Sequence, residues 1–68
     1  MKELNPIKLA RMRSGYTQTE LAEMVGVSTA AVSQWETGRG HPNVKRLRRI
    51  AKVLNSTVDK LLVNEEGA

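Results

Sequence analysis

A chain of 68 residues with a net charge of +4 and a pI near 10 is one small domain, too short to hold a catalytic domain beside a regulator. It has no cysteine, which excludes disulfide staples, thiolate zinc sites and cysteine nucleophiles; with one Trp, one Tyr and no Phe, its stability must come from aliphatic helix packing. No apolar run approaches the roughly 18 residues that span a bilayer, and MKELNPIKLARMR lacks the features of a signal peptide, so a cytoplasmic chain with no membrane partner is expected.

In chain order, residues 1–5 read as a flexible arm, 6–63 as the folded domain and 64–68 as a disordered tail. Asn5-Pro6 signals a helix start, a cap followed by proline at the first helical position. Ile7, Ala10, Arg11 and Ser14 share a stripe on this helix, Gly15 ends it, and Tyr16 is expected to pack in the connection. Thr17 and Glu20 form the T-x-x-E capping box that opens a second helix, with Leu21, Ala22 and Val25 on its buried face. Gly26 tolerates the left-handed backbone where that helix must stop. Val27 plugs the corner, and Ser28 caps a third helix from about Thr29 to Glu36, in which Ala31, Val32 and Trp35 fall on one side. Gly38 ends it, and Arg39-Gly40-His41-Pro42 is a loop by composition. Asn43 caps a fourth helix, whose apolar face is Val44, Leu47, Ile50, Ala51 and Leu54 and whose opposite face is basic. Asn55 suits a left-handed stop, and Thr57 caps a last short helix with Val58, Leu61 and Leu62 apolar. The pattern holds no strand and no repeat: the chain is all-α, with five helices.

The remaining face of the third helix carries Thr29, Ala30, Ser33 and Gln34, with no charge among them. A solvated helix face usually carries charge. A short, uncharged, hydrogen-bonding face suits close approach to another surface, either major-groove base edges or a protein partner, and spacing leaves both open. Beyond it, from Thr37 to Val58, stand Arg39, Lys45, Arg46, Arg48, Arg49 and Lys52 with no acid, a block that suits a polyanion. Enzyme chemistry finds no support. His41 is the only histidine and has no Cys or carboxylate cluster beside it, so neither a catalytic residue nor a metal or cofactor is expected. Trp35 has the spacing of a core residue rather than of a base-stacking platform.

Arg11, Gly15, Thr17-Gln18, Leu21-Ala22, Gly26-Val27-Ser28, Val32, Trp35-Glu36, Gly38, Pro42 and the face from Leu47 to Leu54 form an ordered series. In this series the chain resembles the phage-repressor type of helix-turn-helix proteins, the XRE-like or Cro-like family, from about Ile7 to Leu62. The resemblance implies a compact five-helix, lambda-repressor-like domain, with the helix-turn-helix at helices two and three. It implies a sequence-specific DNA-binding transcriptional regulator, a repressor acting as a homodimer on an inverted-repeat operator. It pairs Arg11 with Glu36 as scaffold, and places phosphate contacts at Gln18 with Thr17 and around Asn43. Ser28, Arg39 and Lys45 are further phosphate candidates, and Thr29, Ala30, Ser33 and Gln34 the base-reading ones. Gln34 is the arm suited to adenine, so reading should lean toward A·T pairs. Thr29 and Ala30 are shorter than the residues the family often carries there, so no relative's target sequence carries over. Val58, Leu61, Leu62 and Val63 offer an apolar surface for the dimer. No small-molecule effector is expected. The reading from another class is an antitoxin or similar protein-interaction module on this scaffold; the lack of a long extension in the sequence counts against it.

Overall fold

Every helix among the described residues starts at a polar cap. In the computed structural model, which describes residues 5–62, the side chains of Asn5, Thr17, Ser28, Asn43 and Thr57 each accept a backbone N–H from the turn that follows. Each such bond satisfies a donor that the helix itself leaves unpaired, and contributes about 1 kcal/mol. The helices they open are α1 (Pro6–Ser14), α2 (Gln18–Val25), α3 (Thr29–Thr37), α4 (Val44–Val53) and α5 (Val58–Leu61), with no strand among the described residues. The expected arm (save Asn5), the tail and Val63 lie outside the described residues.

The turn between α2 and α3 depends on Gly26. Its φ is 87°, and both its N–H and that of Val27 donate to the Ala22 carbonyl, at 2.8 and 2.9 Å. A Cβ at Gly26 would meet nothing within 4 Å. Backbone conformation therefore selects the glycine, not crowding, and a side chain there would cost roughly 1–2 kcal/mol in left-handed strain. Asn55, at φ 54°, makes the same kind of stop after α4 without glycine.

Each helix sends one of the five largest fully buried side chains into a single core: Ile7, Leu21, Val32, Ile50 and Leu61. Trp35 closes this core from α3, and Tyr16 and Val27 pack against it from the connections. The most extensive helix pairing is α2 with α3; α4 lies against α2, and α1 spans α3 and α5. Ala22, 2% exposed, is small where α2 meets α3. No helix among the described residues is long and apolar enough to cross a membrane.

Four side chains depart from what the sequence leads one to expect. Val44 is 61% exposed: it stands at the first position of α4, a turn ahead of the buried Leu47, and no other element covers it. Leu62 lies just past α5 in extended backbone and is 53% exposed. Leu61, expected at a subunit surface, is 2% exposed because the core of the single chain consumes it. Ser14 shares its stripe with Ile7 but faces solvent, and α3 runs one residue past Glu36, to Thr37.

Candidate nucleic-acid interface

A buried carboxylate organises the corner where three helices meet. Glu36, at the end of α3, accepts from Arg11 Nε at 2.7 Å and Nη2 at 3.1 Å, and from Gln18 Nε2 at 3.0 Å. Arg11 Nη1 donates in addition to the Tyr16 carbonyl at 2.8 Å. The Glu36 side chain is 2% exposed and that of Arg11 13%. Such burial is tolerable only because the charges are paired and hydrogen-bonded. The hydrogen bond to Glu36 raises the Arg11 pKa above its usual value, and the carboxylate's charge adds to this while burial opposes it. Asn5 makes a second tie: Nδ2 donates to the Trp35 carbonyl at 3.0 Å, while Oδ1 accepts from Ile7 at 2.8 Å and caps α1. Thus α1 is fastened to the end of α3 from two sides, and α2 joins through Gln18.

The start of α2 is a reciprocal capping box. Thr17 Oγ1 accepts from Glu20 N at 3.0 Å, and Thr17 N donates to Glu20 Oε1 at 2.8 Å. Gln18, expected to reach outward, is half-buried with its amide turned onto Glu36. Beside it Thr19, which the sequence reading passes over, is exposed and accepts from Thr29 Oγ1 at 3.3 Å. That bond joins the first turns of α2 and α3. Ser28 caps α3 at 3.1 Å and is exposed. Thr29, Ala30 and Gln34 are also exposed, and Ser33 is half-buried. The Gln34 side chain lies along the loop: a Cβ on Gly40 would sit 3.7 Å from its Oε1. The structure therefore brings the four base-reading candidates onto one side of α3, opposite Val32 and Trp35.

The cations are held differently. Arg39, Lys45, Arg46, Arg48, Arg49 and Lys52 are all exposed, and among the described residues none forms an ion pair. Asn43 caps α4 at 2.8 Å, and with Lys45 and Arg46 it borders a cleft beside Gly26. Arg49 Nε donates to the Met24 carbonyl in the last turn of α2, at 3.4 Å, where a cation meets the negative end of that helix. No group of three or more His, Cys, Asp or Glu gathers among the described residues.

Of the four residues expected at a dimer surface, Leu61 is spent on the core and Val58 is half-buried against it. Leu62 remains exposed beside a shallow groove of about 270 Å³ that Trp35, Pro42 and Leu61 also line.

Residues 7–61 match the profile of the Helix-turn-helix family. The chain is similar to the HTH-type transcriptional activator BcrR of Enterococcus faecalis, with 46% identity over 61 residues, covering 87% of this chain and 30% of that protein. It is also similar to repressor protein C2 of Salmonella phage P22, with 39% identity over 56 residues, 82% of this chain and 26% of the phage protein. It spans about a third or less of the length of these two relatives. Among solved structures it is similar to SinR, the master regulator for biofilm formation, in complex with DNA: the TM-score is 0.78 and the identity 34%, over 85% of this chain and 97% of that one.

Proposed function

The chain belongs to the helix-turn-helix family, in its phage-repressor type, and on that premise we propose that it is a sequence-specific DNA-binding transcriptional regulator. The observation that carries this reading is the exposed, uncharged row of Thr29, Ala30 and Gln34, with the half-buried Ser33, on a helix whose other side is pinned into the core. In the proposed mode α3 enters a major groove. Gln34 there makes a bidentate contact to adenine, and Thr29 and Ala30 offer methyl groups to thymine, so recognition leans toward A·T pairs. The starts of α2 and α4, with Thr17, Gln18, Ser28, Arg39, Asn43 and Lys45, hold phosphates and set the register. Because Gln18 is already anchored on Glu36, its contact uses the second amide proton and the backbone N–H. Occupying an operator excludes other proteins from it, so repression, in the cytoplasm, is the direction proposed.

The proposed assembly is a homodimer on an inverted repeat, its two α3 helices about one helical turn of DNA apart. Its apolar contact rests on Leu62, the large apolar side chain that stays exposed at the groove lined by Trp35 and Pro42, rather than on Leu61.

Selection of duplexes from a random pool tests the reading, followed by binding of the winner and of unrelated DNA across a salt series. The expected result is a two-fold symmetric, A·T-leaning site bound about 10³-fold or more above unrelated DNA. Binding to all duplexes alike would overturn sequence-specific recognition.

A further inference from the structure

Thr29 holds the first hydroxyl of the reading row, and it is already engaged. Its Oγ1 donates to Thr19 Oγ1, 3.3 Å away in the exposed first turn of α2. A threonine hydroxyl has one proton and two lone pairs. With its proton given to Thr19, Thr29 has only lone pairs to offer a base. Thr19 keeps its own proton, and it stands next to Gln18 in a turn where unpaired backbone N–H groups point outward. A phosphate oxygen at that turn can only accept. Thr19 must then donate to it, and so must accept from Thr29. The phosphate thereby sets the direction of the whole chain of hydroxyls.

We propose that Thr19 is a positioning residue that determines specificity: held by a backbone phosphate, it turns Thr29 into an acceptor and selects a base that presents a donor. In the major groove those bases are adenine, through its N6 amine, and cytosine, through its N4 amine; guanine and thymine present acceptors at the corresponding edge. The inference rests on the DNA-reading mode proposed above and adds a rule for one position of it. Ser33 has no such partner fixing its hydroxyl, and so imposes no such choice.

Thr19→Val removes the hydroxyl at nearly constant shape on an exposed site, Thr19→Ser keeps it, and thermal melting confirms that both variants fold. Thr29→Ala identifies the operator position that Thr29 reads. The expected result is that the parent and Thr19→Ser bind more weakly when the amine of the selected pair at that position is deleted, by purine in place of adenine or 2-pyrimidinone in place of cytosine. Thr19→Val loses this dependence on the amine, which in the parent is roughly fivefold, the scale of one hydrogen bond, with the other positions unchanged. Its log–log salt slope stays that of the parent, because a neutral hydroxyl neutralises no phosphate charge. A parent indifferent to loss of that amine, or a Thr19→Val protein that still depends on it, overturns the relay while leaving DNA reading intact. A parent that enriches no sequence at all removes both.

Discussion

At Glu36 one carboxylate, its side chain 2% exposed, takes three hydrogen bonds from two helices. Along α4, five cations between Lys45 and Lys52 stand exposed, and among the described residues their one side-chain tie is the 3.4 Å bond from Arg49 to a carbonyl. The two regions use charge in opposite ways. A buried charge must be fixed, and in being fixed it locks α1, α2 and the end of α3 into one geometry. An exposed cation contributes field without fixing position. Base edges are discriminated by hydrogen-bond geometry, so the helix that presents the reading row needs the locked corner. Phosphates carry no sequence, so the cations that would meet them tolerate freedom.

Glu36→Gln should show the contrast at its strongest. It leaves the Arg11 guanidinium without its charge partner, at a cost of about 3 kcal/mol or more. For a domain of this size that is a fall in Tm of roughly 12 °C or more, read by circular dichroism. A fall of only a degree or two would mean that the corner does not hold the fold. The same bond raises the Arg11 pKa above its usual value, so its contribution is present at every pH below that usual value and fades only as pH climbs through the raised one. Melting between pH 7 and 10 should therefore show no loss traceable to Arg11.

Asn5→Ala comes next. It removes the α1 cap together with the tie to the Trp35 carbonyl, and is expected to cost about 1–2 kcal/mol in denaturant titration. The smallest effect on stability belongs to α4: the double change Arg48→Gln, Lys52→Gln should move stability by less than about 0.5 kcal/mol per site. Whatever part these two take in holding DNA should appear as a shallower salt slope with the selected sequence unchanged. Were this pair to unfold the chain as Glu36→Gln does, or to alter the selected sequence, the division between locked and loose charge would fail.

Local chemistry explains which parts of this arrangement are legible in the sequence. Helix starts are readable because a cap and the N–H it accepts lie two or three residues apart, as at Thr17 and Glu20. The second bond of Asn5 reaches a carbonyl thirty residues away, and nothing near Asn5 announces it. Val44 and Leu47 share a stripe on α4, yet only Leu47 is covered, because coverage depends on where other elements end. Leu61 and Leu62 look alike as neighbours; α5 turns one into the core and stops before the other. The reading row is legible as a row without charge. The engagement of Gln18 by Glu36, and of Thr29 by Thr19, arises only when the first turns of α2 and α3 and the end of α3 are brought together.

Trp35 is the only indole in the chain, 6% exposed, and it sits on the side of α3 turned away from Thr29, Ala30 and Gln34. A shielded indole emits at shorter wavelength than one in water, so its fluorescence is an unlabelled signal for the docking of α1 onto α3, to which Asn5 bonds at the Trp35 carbonyl. Because the ring faces inward, a ligand on the outer row of the same helix leaves its surroundings dry and its colour unchanged. Emission colour and the anisotropy of a dye on added DNA would therefore separate unfolding from release in a single cuvette.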